Sequence, residues 1–317
     1  MDKDYSGEKN KNIAINLLWT LRHEGSGTFV YIQNLLDNLF DVDKDNRYYL
    51  LINLYNYKNL RKRYKKNKNI KLKIIDIRYD FIFNPLRAVL KLIIRIKKND
   101  SVKEKIIKKE IQKFIDRKKI NILFFPSTII YPKGLKNAKI ISTIYDLQHE
   151  YFPGNFSEKY LKYRKENYLY TALNSDHIIA ISDYTKKTII EKYGVDPEKI
   201  TTTCLGVGIE KNIKSNIILP RNFIFYPATF WPHKNHKILI EALKKLETTF
   251  PDLNLIFTGA VKNFELKKEI DNLILSYNLC KKVLYLGYVS EKDLNYIYRK
   301  ASAMVFPSSF EVSDCLL

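Results

Sequence analysis

Short apolar runs alternate with amphipathic stretches along nearly the whole chain. Runs at residues 12–18, 48–54, 70–77, 120–125, 139–145, 177–181 and 200–205 predict strands, and helical patterns fall between several of them. The first run leads into a Gly-x-Gly loop and then into Tyr31, Leu35, Leu36 and Leu39 at helical spacing, a strand, loop, helix opening. A second series follows, with strands at 223–227, 253–258, 282–286 and 303–306 and helices around 236–248, 263–277 and 291–301. Strands that alternate with helices predict mainly parallel sheets wound by right-handed crossovers. Residues 210–221 have weak periodicity and end near Pro220, so a linker is expected at 210–222, between a first domain at 1–209 and a second at 223–317.

At 317 residues and 45% hydrophobic, the chain can bury sizeable cores, which excludes a disordered class and suits two domains. No run approaches the roughly 18 to 20 apolar residues that a spanning helix needs, and the first five residues are polar and mixed in charge, so neither a span nor a signal peptide is expected. Cys204, Cys280 and Cys315 are widely spaced without a Cys-x-x-Cys pair, which argues against a disulfide framework or structural zinc and fits a reducing cytoplasm.

The net charge of +21 is unevenly placed: residues 58–119 hold 23 Lys/Arg against 6 Asp/Glu. Such a block suits an anionic partner, and it equally suits a solvated face in a Lys- and Asn-rich chain. Within it, Leu86, Val89, Leu90, Ile93 and Ile94 share one helical face flanked by Arg87, Lys91, Arg95, Lys97 and Lys98. That stripe fits a helix on an anionic membrane surface or one covering a sheet. Nucleic acid is the weaker partner, because the block lacks a recognition helix, a ribonucleoprotein motif or a zinc finger.

Candidate chemistry concentrates at strand ends. The run at 223–227 ends in Tyr226-Pro227-Ala228-Thr229-Phe230-Trp231-Pro232-His233-Lys234-Asn235-His236, and the last strand in Phe306-Pro307-Ser308-Ser309-Phe310-Glu311. Loops at the carboxyl edge of a parallel sheet are where open α/β folds hold ligands. Lys234 precedes a helix, so its ammonium and the free N–H groups of that helix suit one anion. Gly25 and Gly27 allow a loop to approach a phosphate closely, or simply make a strand-to-helix turn. Asp146 and His149 follow the strand at 139–145, placed either to face a ligand or to cap a turn and pack beneath it. Ser182 stands where it would contact a ligand or cap the next helix.

These segments, with Gly25-Ser26-Gly27-Thr28-Phe29-Val30, Ser142-Thr143-Ile144-Tyr145-Asp146-Leu147-Gln148-His149-Glu150-Tyr151-Phe152-Pro153 and Ile178-Ile179-Ala180-Ile181-Ser182-Asp183-Tyr184-Thr185-Lys186, resemble the retaining "group 1" glycosyltransferases in the same order along the chain. The resemblance implies an α/β chain of two Rossmann-like domains facing each other across a cleft, the GT-B architecture. It implies transfer of a hexose-type sugar from a nucleotide-diphosphate sugar to a saccharide or lipid-linked saccharide hydroxyl, in surface polysaccharide or glycan assembly. Asp146, His149 and Glu311 are the implied catalytic set. Gly25, Gly27, Thr229, Lys234, Tyr288 and Val289 are the implied donor contacts, with Ser182 on the acceptor side. No metal is implied, nor any cofactor beyond the nucleotide sugar, and the enzyme would work in the cytoplasm, on or near the inner face of a membrane.

Three departures qualify that expectation. Thr229 stands where the family usually has arginine, leaving His233, His236 or Lys237 as substitute cations. Tyr145 stands where it often has histidine. A second glutamate would fall at position 319, so the second domain is expected to be incomplete. The alternative reading is therefore an inactive glycosyltransferase fragment that acts only as a binding module.

Overall fold

The computed structural model describes residues 10–18, 27–75, 100–206 and 214–309. The chain divides into two compact units, Met1–Leu205 and Gly206–Leu317.

The first unit is built on a seven-stranded sheet of β1 (Asn12–Asn16), β2 (Arg47–Ile52), β3 (Ile70–Ile74), β4 (Ile122–Phe125), β5 (Lys139–Ile144), β6 (His177–Ala180) and β7 (Ile200–Thr202). Its order is β3-β2-β1-β4-β5-β6-β7 and all pairings are parallel. Strand order reverses direction between β1 and β4, the switch point of a doubly wound fold. Helices α1 (Gly27–Val42) and α2 (Leu54–Tyr64) cover one face, where Ile32, Leu36, Phe40 and Leu60 pack on Ile15, Leu50 and Ile52. Helix α3 (Asp100–Lys118) covers the other, burying Ile107, Ile111, Phe114 and Ile115 against Ala14, Leu51 and Leu123. After β5 come the single turn α4 (Gln148–Tyr151), α5 (Glu158–Asn174) and, after β6, α6 (Asp183–Tyr193).

The second unit has a parallel sheet of β8 (Phe223–Pro227), β9 (Asn254–Thr258), β10 (Val283–Tyr285) and β11 (Ala303–Met304), in the order β10-β9-β8-β11. The reversal here lies between β8 and β11. Helices α7 (His236–Leu246) and α8 (Phe264–Ser276) pack together against one face, with Leu239, Ile240, Leu243 and Ile270 over Leu255 and Phe257. Helix α9 (Glu291–Lys300) buries Ile297 on the opposite face beside Phe223, Phe225 and Ile256.

Every predicted strand is present, with ends within a few residues of the expected ones, and the predicted helices of the second series stand at 236–246, 264–276 and 291–300. The interfacial-helix candidate at 84–98 lies outside the described residues. Among the described residues, no helix is long and apolar enough to cross a membrane.

Candidate functional site

In the second unit, the carboxyl ends of all four strands are tied into one edge. The loop after β8 and the loop after β11 are joined directly: Ser309 N–H donates to the His233 carbonyl at 2.9 Å, and Asn235 Nδ2 to the Pro307 carbonyl at 3.3 Å. Tyr226, at the end of β8, donates its hydroxyl to the Lys234 carbonyl at 2.8 Å and lies 2.9 Å from Ser308 Oγ. Its ring is fully buried, so the hydroxyl is a fixed post that sets both loops.

The loop after β9 comes in from the other side. Gly259 adopts φ +124°, and a Cβ there would stand 2.6 Å from the Ala228 carbonyl oxygen. Phe230 N–H donates to the Ala260 carbonyl at 3.1 Å, Gly259 N–H to the Gly287 carbonyl at 2.8 Å, and Tyr285 Oη to the Gly259 carbonyl at 2.7 Å. The turn before Tyr288 is thereby linked, through Gly259, to the loop that carries Thr229 and Lys234.

Lys234 ends a 3-10 turn, Pro232–Lys234, and Asn235 then takes the left-handed conformation, φ 52°, before α7 starts. Helix α7 has no side-chain cap, whereas α2, α6, α8 and α9 are capped by Asn53, Ser182, Asn263 and Ser290. An uncapped first turn leaves backbone N–H groups and the positive end of the helix dipole for an anion beside Lys234.

His236, the first residue of α7, is no substitute cation. It is 1% exposed, stacked on Phe230 at 4.2 Å and 12°, and flanked by Tyr226 and Phe257. Burial pushes its pKa down to about 4, so the ring is neutral near pH 7. Phe230 also walls an apolar pocket of about 310 Å³ lined by Phe257, Ile270 and Tyr285, with the Lys267–Asp271 ion pair among its lining residues.

Thr229 is partly buried and its carbonyl accepts from Trp231 N–H at 2.8 Å. Tyr288 is 69% exposed just after the Gly287 turn, φ +68°, while Val289 packs against the cluster around Phe225 and Ile297. Glu311 lies outside the described residues.

In the first unit, Asp146 and His149 come together in the loop and single turn after β5. Asp146 Oδ1 accepts from Gln148 N–H at 3.0 Å, an Asx turn, and from Arg164 Nη2 at 2.6 Å. His149 has no exposed surface: it lies edge-on to Tyr168 at 4.8 Å, with Nε2 3.2 Å from the Tyr193 hydroxyl and 3.3 Å from Glu150 Oε1. Burial, and secondarily the Arg164 charge, push its pKa down to about 4. His149 is therefore a buried ring that is neutral near pH 7, whereas Asp146 is partly exposed.

Ser182 caps α6, accepting from Thr185 N–H at 3.1 Å, and the Thr185 hydroxyl in turn donates to the Tyr145 carbonyl at 3.0 Å. Gly27 is the first residue of α1, and a Cβ there would meet nothing within 4 Å. Gly25 lies outside the described residues.

Two participants, Gly259 and Arg164, have no place in the sequence reading, and Tyr226 stands there only within the quoted loop segment, with no role of its own. Arg164 was the more legible of the two: with Tyr168, Thr171 and Ala172 it forms the buried stripe of α5, and an arginine in an inward register asks for a partner.

Comparison with known proteins accords with this arrangement. The family model described as Glycosyl transferases group 1 matches residues 209–313, and that described as Glycosyltransferase Family 4 matches residues 105–211. The O-antigen chain mannosyltransferase RfbU of Salmonella typhimurium is 28% identical over 178 residues, 55% of this chain and 46% of that protein. A UDP-Gal:alpha-D-GlcNAc-diphosphoundecaprenol alpha-1,3-galactosyltransferase of Escherichia coli is 29% identical over 157 residues, 45% of this chain and 39% of that one. The chain thus spans about half or less of the length of these relatives. Among solved structures, Anabaena Alr3699/HepE in complex with UDP and glucose superposes with a TM-score of 0.62 at 14% identity, covering 96% of this chain and 76% of that one. The fold is the GT-B fold of such enzymes, and the chain belongs to the group 1 glycosyltransferases.

Proposed function

We propose that the protein transfers a hexose-type sugar from a nucleoside-diphosphate sugar to a hydroxyl of a saccharide or lipid-linked saccharide, with retention of configuration, in the assembly of a surface polysaccharide. The observation that carries this reading is the joined edge of the second unit, where the β8 and β11 loops meet at the switch point and set Lys234 beside the uncapped start of α7. As the glycosidic bond breaks, negative charge grows on the leaving diphosphate. The Lys234 ammonium and the α7 N–H groups meet that charge from fixed positions, which favours the transition state over the ground state. The donor is activated by its own diphosphate, so the reading calls on no further cofactor. The exposed Tyr288 after the Gly287 turn is assigned to the nucleoside and Glu311 to the donor sugar. Asp146 is assigned to a sugar hydroxyl.

The names of the relatives support a saccharide or lipid-linked saccharide acceptor, and the cationic block at 58–119 supports work at an anionic membrane surface on its cytoplasmic side. The test is calorimetric titration of the full chain with UDP, GDP and dTDP and with their hexose conjugates, followed by product analysis with saccharide acceptors. Nucleotide binding with turnover, and a product whose anomeric configuration matches the donor by NMR, is expected. Nucleotide binding without turnover in any pairing would leave a binding module, and no nucleotide binding would overturn the reading.

A further inference from the structure

Asp146 and Arg164 form an unusually one-sided pair. A guanidinium and a carboxylate matched for stability alone meet fork to fork, through two parallel N–H···O bonds. Here Nη2 meets Oδ1 at 2.6 Å, the same Oδ1 accepts from Gln148 N–H at 3.0 Å, and Oδ2 has no hydrogen-bond partner among the described residues. Arg164 Nε is buried without a partner as well. The guanidinium is fixed from its other sides by rings, with Tyr168 at 4.7 Å, Phe156 at 4.8 Å and Tyr160 at 6.0 Å from Cζ. Arg164 is 7% exposed, while the Asp146 side chain keeps a quarter of its surface.

Burying a guanidinium this far is costly, and an apolar side chain of similar length would fill the space between those rings without that cost. What the arginine supplies, and an apolar side chain would not, is a charged clamp on one oxygen of a carboxylate. That clamp fixes the direction of the other Asp146 oxygen at the carboxyl end of β5.

We propose that Arg164 is a positioning residue, which holds Oδ1 of Asp146 so that Oδ2 is presented as the acceptor for a sugar hydroxyl. The inference rests on the glycosyltransferase reading and deepens it. A carboxylate oxygen accepts, so it selects a hydroxyl that donates, and a single fixed oxygen favours one hydroxyl of a ring over its neighbours. Two sources offer that chemistry: the hexose of the donor and the saccharide acceptor.

The experiment uses the full chain and three variants, Asp146→Asn, Arg164→Met and Arg164→Lys, each checked first for its melting temperature. In the donor arm, binding of UDP-glucose and GDP-mannose is compared with that of UDP and GDP. In the acceptor arm, methyl α-D-glucopyranoside and methyl α-D-mannopyranoside are titrated by NMR in the presence of UDP or GDP. Loss of one charge-assisted hydrogen bond predicts a roughly tenfold fall in the sugar-dependent part of the affinity for Asp146→Asn and Arg164→Met. Affinity for the bare nucleotide should be unchanged and Arg164→Lys should recover part of the loss. The arm that responds names the source of the hydroxyl.

Variants that fold as the wild type and leave both arms unchanged would overturn the proposal. So would an Arg164→Met loss that Asp146→Asn does not share, since that is the mark of a structural role. A wild type that gains nothing from the sugar in either arm overturns it too. A chain that binds methyl glycosides, tested also without nucleotide, but no nucleotide sinks the donor site of the second unit and leaves this proposal standing.

Discussion

Gly259 and Ala228 meet backbone to backbone, so closely that a Cβ on Gly259 would stand 2.6 Å from the Ala228 carbonyl oxygen. The contact lets the β9 loop lie against the β8 loop that carries Thr229 and Lys234. Gly259→Ala combines that clash with an unfavourable φ of +124°, neither of which a flexible side chain can relieve. The variant should lose about 2 to 4 kcal/mol in denaturant unfolding. Because the displaced loop carries the proposed diphosphate contacts, nucleotide affinity should fall more steeply than for a surface variant of equal stability.

Lys234→Ala tests the anion site itself. Its backbone is held by Tyr226 and Trp231 whatever its side chain, so the loop should keep its shape. UDP or GDP affinity should fall about tenfold to a hundredfold, as expected for loss of a charge-assisted contact to phosphate, with melting temperature within about a degree of wild type. Unchanged titration would remove Lys234 from the site.

The two buried histidines give stability a defined pH dependence. His149 and His236 both have pKa values pushed down to about 4 by burial. The unfolded chain, with histidine near 6.5, binds more protons than the folded one between those values, so the contribution is complete above about pH 6.5 and is lost as pH falls toward 4. From pH 7 to pH 5 the pair should remove on the order of 3 kcal/mol. Denaturant unfolding across that range checks it, and His236→Phe should flatten the slope by roughly half.

Ser182→Ala separates capping from ligand contact. Its hydroxyl accepts from Thr185 N–H, so the alanine variant should cost about 1 kcal/mol, and glycine only a few tenths. Saccharide and nucleotide titrations should not move. A selective loss of sugar binding at unchanged stability would return Ser182 to the acceptor site.

The order of elements, the two series of parallel strands and the loops worth watching were fixed by the chain itself. Periodicity is a local property, and apolar runs such as those at 139–145 and 223–227 leave few alternatives to a buried parallel strand. The placement of Lys234 between a strand and a helix was legible because both flanking elements are written in neighbouring residues. Tertiary structure decided the rest, because it concerns partners far apart in sequence. It buried His149 and His236, which makes neutral rings of two histidines that resembled ligands. It put Arg164 against Asp146, 18 residues away. It brought Ser308 to Tyr226 and Gly259 to Ala228 across the sheet edge. Hydropathy records whether a side chain turns inward, whereas the atom it meets there depends on strand order, and strand order is set by the packing of the whole sheet.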